Sequence, residues 1–295
     1  MKKILTAIFI FLTLTINCYS QLEDRFKFLT KEDVEKYIQP FGTTLGMAFN
    51  SASYYSAKIP DFFGFSISFR GMYFLIPDED LKFMPKLPQG YQSTEPTSTV
   101  YGGVGTAYYE SVNGYIAYPS GLDKKNFLFG YPQISASLLG TEVMLRYLPT
   151  IKLGNNNDEE ISMFGIGIKH SISRYIPFCP VDIAVQFLYN DLEITNALKL
   201  TTYAFNGHAS KTFGLFTAYG GLQYESSSFD LDYTYTDPNN VNPALKGNRI
   251  KASIDGKNNF RFTVGGALKL AVIVINADAG FGSQTVFTTG LTFEL

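Results

Sequence analysis

The chain has 295 residues, with 24 Lys and Arg set against 26 Asp and Glu for a net charge of −2. That balance leaves no basic footprint for nucleic acid. Phe and Tyr make up 16% of the residues and charged residues only 17%, where ordinary soluble domains carry about 25% charge.

The first residues read "MKK", then the apolar run "ILTAIFIFLTLTI", then "NCYSQ". The run is short for a membrane-spanning helix, which needs about 20 residues. It is therefore expected to be a secretory signal over 1–20, cleaved after Ser20. Loss of Cys18 would leave Cys179 as the only cysteine, which excludes an intrachain disulfide and a thiolate metal site. Beyond the signal the longest apolar run is "LAVIVI", 270–275. An exported, aromatic-rich chain without spanning helices enters a membrane only as a closed β-barrel, because lipid cannot satisfy open strand edges.

A helix is predicted over 29–41. Thr30 is a suitable N-cap with Asp33 at the capping-box position, and Leu29 and Val34 stand at the spacing of a hydrophobic staple. Val34, Tyr37, Ile38 and Phe41 form one stripe, and Pro40 is the expected stop. Such a helix would plug the lumen, cap one mouth, or lie loosely against the rim.

The rest reads as strands. In 62–75, Phe63, Phe65, Ile67, Phe69, Tyr73 and Leu75 oppose Gly64, Ser66, Ser68 and Arg70. In 181–190, Val181, Ile183, Val185, Phe187 and Tyr189 oppose Asp182, Ala184, Gln186 and Asn190. The stretches 164–170, 259–268, 272–281 and 283–295 alternate in the same way. Further candidates are 99–109, 131–140, 141–152, 196–207, 213–225 and 228–236, with short strands hidden in 111–118 and 247–256. The expected fold is an all-β antiparallel transmembrane barrel of about 12–14 strands with a short N-terminal helix, occupying 21–295 as one domain. A soluble β-sandwich alternates too. The small polar residues on one parity, and the Tyr and Phe near strand ends, favour the membrane barrel. The intervening stretches 77–96, 119–126, 154–160 and 237–248 are rich in Pro, Asn, Gly and charge, as loops are.

The polar parity collects Arg70, Glu142, Arg146, Lys169, Asp182, Gln186, Arg261, Asp278 and Glu294. On the lipid side, Arg or Lys near the midplane costs about 2–4 kcal/mol, so all nine are expected to face the lumen. They would form an interior ion-pair network or line a polar path. The two histidines, His170 and His208, have serines nearby in sequence, but a triad is defined by geometry and no hydrolase motif surrounds them. No cofactor or metal is expected: the acidic stretches 157–160 and 230–237 lack EF-hand spacing.

Several stretches resemble a family of exported Gram-negative barrels known only as a domain of unknown function: "NSASYYSAKIPDFFGFSISF" (50–69), "TEVMLRYLPTIKL" (141–153), "FGIGIKHSISRYIP" (164–177) and the final 28 residues from Leu268. More distantly the chain is similar to long-chain fatty-acid transporter barrels. That likeness implies fourteen strands, an N-terminal plug and passage of hydrophobic molecules, although this chain is shorter and its N-terminal hatch smaller. The alternating C-terminal strand, with Phe293 and Leu295, resembles the segment read by the barrel-assembly machinery. The expected function is a passive channel or transporter for small molecules, hydrophobic ones included, in the outer membrane and in contact with its lipid. The alternatives are a structural barrel with a filled lumen and a lipid-modifying hydrolase.

Overall fold

The computed structural model describes residues 31–87, 89–90, 95–111, 114–153, 159–194, 198–234 and 249–295. The expected signal over 1–20, the cap at Thr30, most of the 154–160 loop and all of the 237–248 loop lie outside them. Among the described residues one α-helix, α1 (Lys31–Asn50), precedes fifteen strands. These are β1 (Gly64–Leu75), β2 (Lys82–Phe83), β3 (Thr97–Ser98), β4 (Ala107–Ser111), β5 (Gly114–Tyr118), β6 (Asn126–Leu138), β7 (Thr141–Leu153), β8 (Glu159–Ser171), β9 (Asp182–Ile194), β10 (Leu198–Phe213), β11 (Phe216–Thr234), β12 (Arg249–Asp255), β13 (Phe260–Leu270), β14 (Ile273–Phe281) and β15 (Thr285–Glu294).

Ten of them close an antiparallel barrel in the order β1, β6, β7, β8, β9, β10, β11, β13, β14, β15. The ends of the chain's strand set meet: β15 pairs with β1 from Leu75↔Thr285 to Ser66↔Glu294. The number is ten rather than twelve to fourteen for two reasons. The candidates 213–225 and 228–236 are one continuous strand, β11. The candidate 99–109 lies in the long β1–β6 connection and contributes only the start of β4, which pairs with β5 outside the barrel sheet. β12, from the 247–256 stretch, pairs with β11 alone.

Short turns gather at one end of the barrel. Leu139 and Gly140 both have positive φ, as a two-residue turn matched to strand twist requires. The β10–β11 and β13–β14 turns lie at the same end, and the long 76–125 and 235–259 connections at the other. We call these the turn end and the loop end.

The alternation resolves with the greasy side outward. Every barrel strand carries half-exposed apolar side chains, among them Phe69, Ile134, Leu145, Ile168, Phe187, Phe205, Leu222, Phe262, Ile275 and Phe287. A continuous apolar belt of this kind is far beyond what a water-soluble surface carries. Ser68, Arg70, Gln186, Asn190, Asn206, Asn276 and Thr292 are buried on the other side. A soluble sandwich would bury the opposite set.

The helix fills the space the strands enclose. α1 runs past Pro40 to Asn50, and from Pro40 onward every one of its residues is buried. Pro40 was the expected stop. It costs the helix one internal hydrogen bond, and the Thr44 hydroxyl donates to the Pro40 carbonyl at 2.9 Å. Packing on all sides outweighs that loss. Gly42 and Gly46 face β11. A Cβ on Gly42 would lie 3.3 Å from Phe229, and one on Gly46 would collide with Ser227, so glycine lets the helix backbone press against the wall.

Candidate functional site

The N-terminal half of α1 sits at the loop end. The Tyr37 hydroxyl donates to the Ser120 carbonyl at 2.9 Å, and Val100 N–H donates to the Tyr37 carbonyl at 3.0 Å. Tyr118 donates to Asp33 at 2.8 Å, and burial, reinforced by that carboxylate, raises the phenol's pKa well above its usual value. Phe41 meets the rings of Tyr101, Phe127 and Phe229 edge-on, at 6.3, 6.0 and 6.1 Å between centroids.

The other end of α1 stops in the middle of the barrel, where its last carbonyls have no helical partner. The wall supplies the donors. Arg146 donates to the Phe49 carbonyl and, at 3.2 Å, to that of Ser51. Asn190 also reaches the Phe49 carbonyl, at 3.1 Å. Arg261 donates to the Met47 carbonyl at 3.2 Å, and Gln223 to that of Asn50 at 3.0 Å. Two guanidinium groups therefore sit at the negative end of the helix dipole. Arg146 is fully buried and lies 4.4 Å over the Tyr131 ring, whose hydroxyl donates to the Ser51 carbonyl at 2.7 Å. Arg261 is ion-paired with Glu225, which also accepts from Gln223 and Asn258. The result is a polar latch between wall and helix.

The nine candidate lumen residues separate by height. Arg146, Gln186 and Arg261 stand around the foot of α1 and the segment that follows it. Gln186 donates to the Ser53 carbonyl at 3.4 Å. Arg70 donates to Asn276 and lies 5.1 Å over the Tyr55 ring. Asp278 accepts from Tyr219 at 2.7 Å. Glu142, Lys169 and Glu294 line a cavity of about 480 Å³ near the turn end, where Lys169 pairs with Glu142 and Lys269 with Glu294, both at 3.0 Å. Asp182 is only partly buried and stands opposite Ser210 at the end of β9; the latch does not include it.

Neither histidine is hydrogen-bonded to a serine hydroxyl. His170 shares hydrogen bonds with Thr141 (2.8 Å) and Tyr175 (3.0 Å). His208 contacts Asn206 at 2.8 Å and stacks on Tyr54 at 4.0 Å. The acidic stretches 157–160 and 230–237 lie partly outside the described residues.

A second feature lies at the wall. A cleft of about 70 Å³ is lined by Phe41, Leu45 and Phe49 of α1, by Phe127 and residues 129–132 of β6, by Tyr147 and Leu148 of β7, and by apolar residues of β8 and β9. Here β6 and β7 part. Their pairing runs from Leu138↔Thr141 to Ile134↔Leu145 and stops, although both strands continue. β7 carries an irregularity between Leu148 and Ile151, at Pro149, which has no N–H for a ladder.

A family model matches residues 1–295. The chain belongs to DUF6588, a family of unknown function. No curated protein matches it. Solved structures that resemble it weakly include a loop-deletion mutant of OmpT, an outer membrane protein of Vibrio cholerae (13% identity, 79% of this chain and 99% of that chain, TM-score 0.29). Ail, the attachment invasion locus protein of Yersinia pestis, is 11% identical over 79% of this chain and 99% of its own, with TM-score 0.26. A BenF-like porin from Pseudomonas fluorescens is 11% identical over 79% and 98%, with TM-score 0.20.

Sequence reasoning missed Glu225, Gln223 and Asn190 as latch residues. Asn190 was read on the polar parity of its strand but not singled out. Gln223 and Glu225 share one parity of the candidate strand 213–225, so the same parity test applied to that segment finds both.

Proposed function

We propose that this chain is an outer-membrane barrel that takes up small apolar molecules and is closed to water and ions by α1. The observation that carries the reading is the apolar cleft between the helix and the wall, set beside a helix held at its foot by hydrogen bonds that can be exchanged. The polar cavity at the turn end lies beyond the latch, so a route through the lumen runs from apolar lining to polar lining and needs the latch to open. In this reading β15 is the segment presented to the insertion machinery, and the apolar belt is wetted by lipid.

The test uses purified protein in phosphatidylcholine vesicles. Expected are saturable binding of the fluorescent apolar probe N-phenylnaphthylamine and near-baseline ion conductance, with conductance rising in Arg146→Ala. Absence of saturable probe binding in correctly folded protein overturns the reading. A second reading, a structural barrel with a filled lumen, is favoured by the complete burial of α1 from Pro40 to Asn50. It predicts no probe binding and no conductance in wild type or variant.

A further inference from the structure

We infer that the parted seam between β6 and β7 is a lateral portal, through which the acyl chain of an amphiphile dissolved in the surrounding membrane reaches the cleft beside α1. The inference deepens the proposed uptake of apolar molecules and rests on it for the fate of the ligand, though not for the existence of the site.

Four observations converge. First, the seam is a real gap in the ladder. If the register of Ile134↔Leu145 continued, Pro132 would stand opposite Tyr147 and Gly130 opposite Pro149, but no pairing is present beyond Ile134. On its far side β6 remains paired to β1 along its whole length, from Gly64↔Ser137 to Leu75↔Asn126, and β7 remains paired to β8. Among the described residues, this is the one junction of the closed barrel that opens.

Second, the sequence builds the gap. Open strand edges are costly in lipid because their N–H groups find no partner. The two flanking strands each place a proline at the gap, Pro132 and Pro149, and a proline has no N–H to leave unpaired. The irregularity at Pro149 also bends β7.

Third, the cleft passes through the wall. Phe127, Phe129, Tyr131 and Leu148 are on the inward parity of their strands, whereas Gly130, Pro132 and Tyr147 are on the outward parity, and all seven line the same cleft. A pocket confined to the lumen would be lined by inward residues alone. The outward neighbours Leu128, Ile134, Val143 and Leu145 are exposed apolar residues of the belt, so the mouth faces hydrocarbon rather than water.

Fourth, the chemistry of the lining selects a chain rather than a head group. Apart from the hydroxyls of Tyr131 and Tyr147 the lining side chains are apolar, and the Tyr131 hydroxyl is already committed to the Ser51 carbonyl. At 10–15 Å³ per water-sized group, about 70 Å³ holds only a few methylene-sized groups. The fit is therefore the terminal part of an acyl chain, with the rest of the amphiphile left in the leaflet.

The experiment photolabels the folded barrel in phosphatidylcholine vesicles with palmitic acid carrying a terminal diazirine, then maps the labelled peptides. Expected is labelling concentrated in 127–132, 147–148 and 161–163. Gly130→Trp, which fills the cleft from the outward face, should lower that labelling roughly tenfold, as loss of about two buried methylenes would. Pro132→Trp should do the same should Gly130→Trp fail to fold, with folding judged by heat-modifiable gel mobility. Leu222→Trp, on the opposite part of the belt, should leave labelling unchanged. Labelling spread evenly around the belt, or unaffected by both tryptophans, overturns the portal. If N-phenylnaphthylamine binding survives while cleft labelling is absent, the portal falls and the uptake reading stands. If the cleft is labelled but vesicle assays show no uptake, the portal stands as a lipid site and the uptake reading falls.

Discussion

Along β9 both faces change character. Nearer the turn end, Ile183, Val185 and Phe187 point outward while Gln186 and Asn190 are buried inside. Nearer the loop end, Asp191 and Glu193 point outward while Leu192 and Ile194 are buried inside. The neighbouring strands repeat the inversion. On β10 the outward residue is Lys199, with Leu198 and Leu200 inside; on β11 the outward residues are Asp230 and Asp232, with Phe229 and Leu231 inside. The same strands thus serve two solvents. In the belt, the exterior is apolar, as contact with lipid requires, and a polar interior satisfies the foot of α1. Above it, a polar exterior meets water and an apolar interior packs the helix as a soluble core would. Lys199 and Asp191 pair across the outside at 3.6 Å, one turn of alternation above the Tyr189–Tyr203 contact, which fits an aromatic girdle between the two zones.

The two zones should therefore respond differently to mutation. The largest effect is expected in the apolar zone. Phe41→Ala removes a ring packed against three others and should cost about 4 kcal/mol. Hydrogen exchange should then show loss of protection across the first half of α1, with no change in the salt dependence of unfolding. Equal loss of protection in both halves would mean that the zones are not separate.

The latch comes next. Arg146→Ala removes a buried cation and leaves two buried carbonyls short of a donor. It should weaken docking of the helix foot by about 3 kcal/mol. The expected readout is faster exchange near Phe49 while the Val34–Phe41 amides remain protected, together with raised conductance in vesicles. Unchanged exchange near Phe49 would show that Asn190 alone holds that carbonyl.

Between the zones, Gly46→Val drives a branched side chain into Ser227 and should cost about 2 kcal/mol by overpacking. Gly42→Ala, where the nearest atom of Phe229 is 3.3 Å away, should cost less. Urea midpoints in detergent, followed by far-ultraviolet circular dichroism, give the order. A Gly46 variant as stable as the parent would show that the helix can back away from β11.

The inversion also explains what the sequence revealed. The belt's alternation is legible wherever one parity is apolar and the other small or polar, as in β1 and β9, and it led to a membrane barrel and to the inward arginines. It fails at the strand tops. "ISMF" and "LYNDLEI" carry apolar residues on both parities over a few positions, because the lipid zone and the core zone overlap there. α1 beyond Pro40 was illegible for a related reason: "GTTLGMAFN" has no stripe because it has no exposed side. The prolines that part β6 from β7 are plain in "YPQ" and "RYLP", but which strand each would have faced is set by a register between segments that sequence alone does not supply.

The smallest effect is expected at the exposed start of α1, and it sharpens the contrast with Phe41. Glu32 is paired with Lys86 at 2.6 Å and with Lys36 at 2.9 Å. Those hydrogen bonds, Lys86 first and Lys36 second, hold the Glu32 carboxyl below its usual value of 4.5. A carboxyl depressed on folding stabilises the fold above its unfolded pKa, and that contribution disappears as pH falls through the lowered value. Both ends of each pair are wet, so salt screens them. Glu32→Gln should therefore reduce protection of the first helical turn slightly at neutral pH. The difference from wild type should start to shrink as pH falls below 4.5, vanish once pH is beneath the lowered folded value, and vanish at high salt, whereas the Phe41→Ala deficit persists under both conditions. If the Glu32→Gln difference instead grew on acidification, the carboxyl would have to be the neutral partner in the folded chain, and the ion pairs drawn here would be wrong.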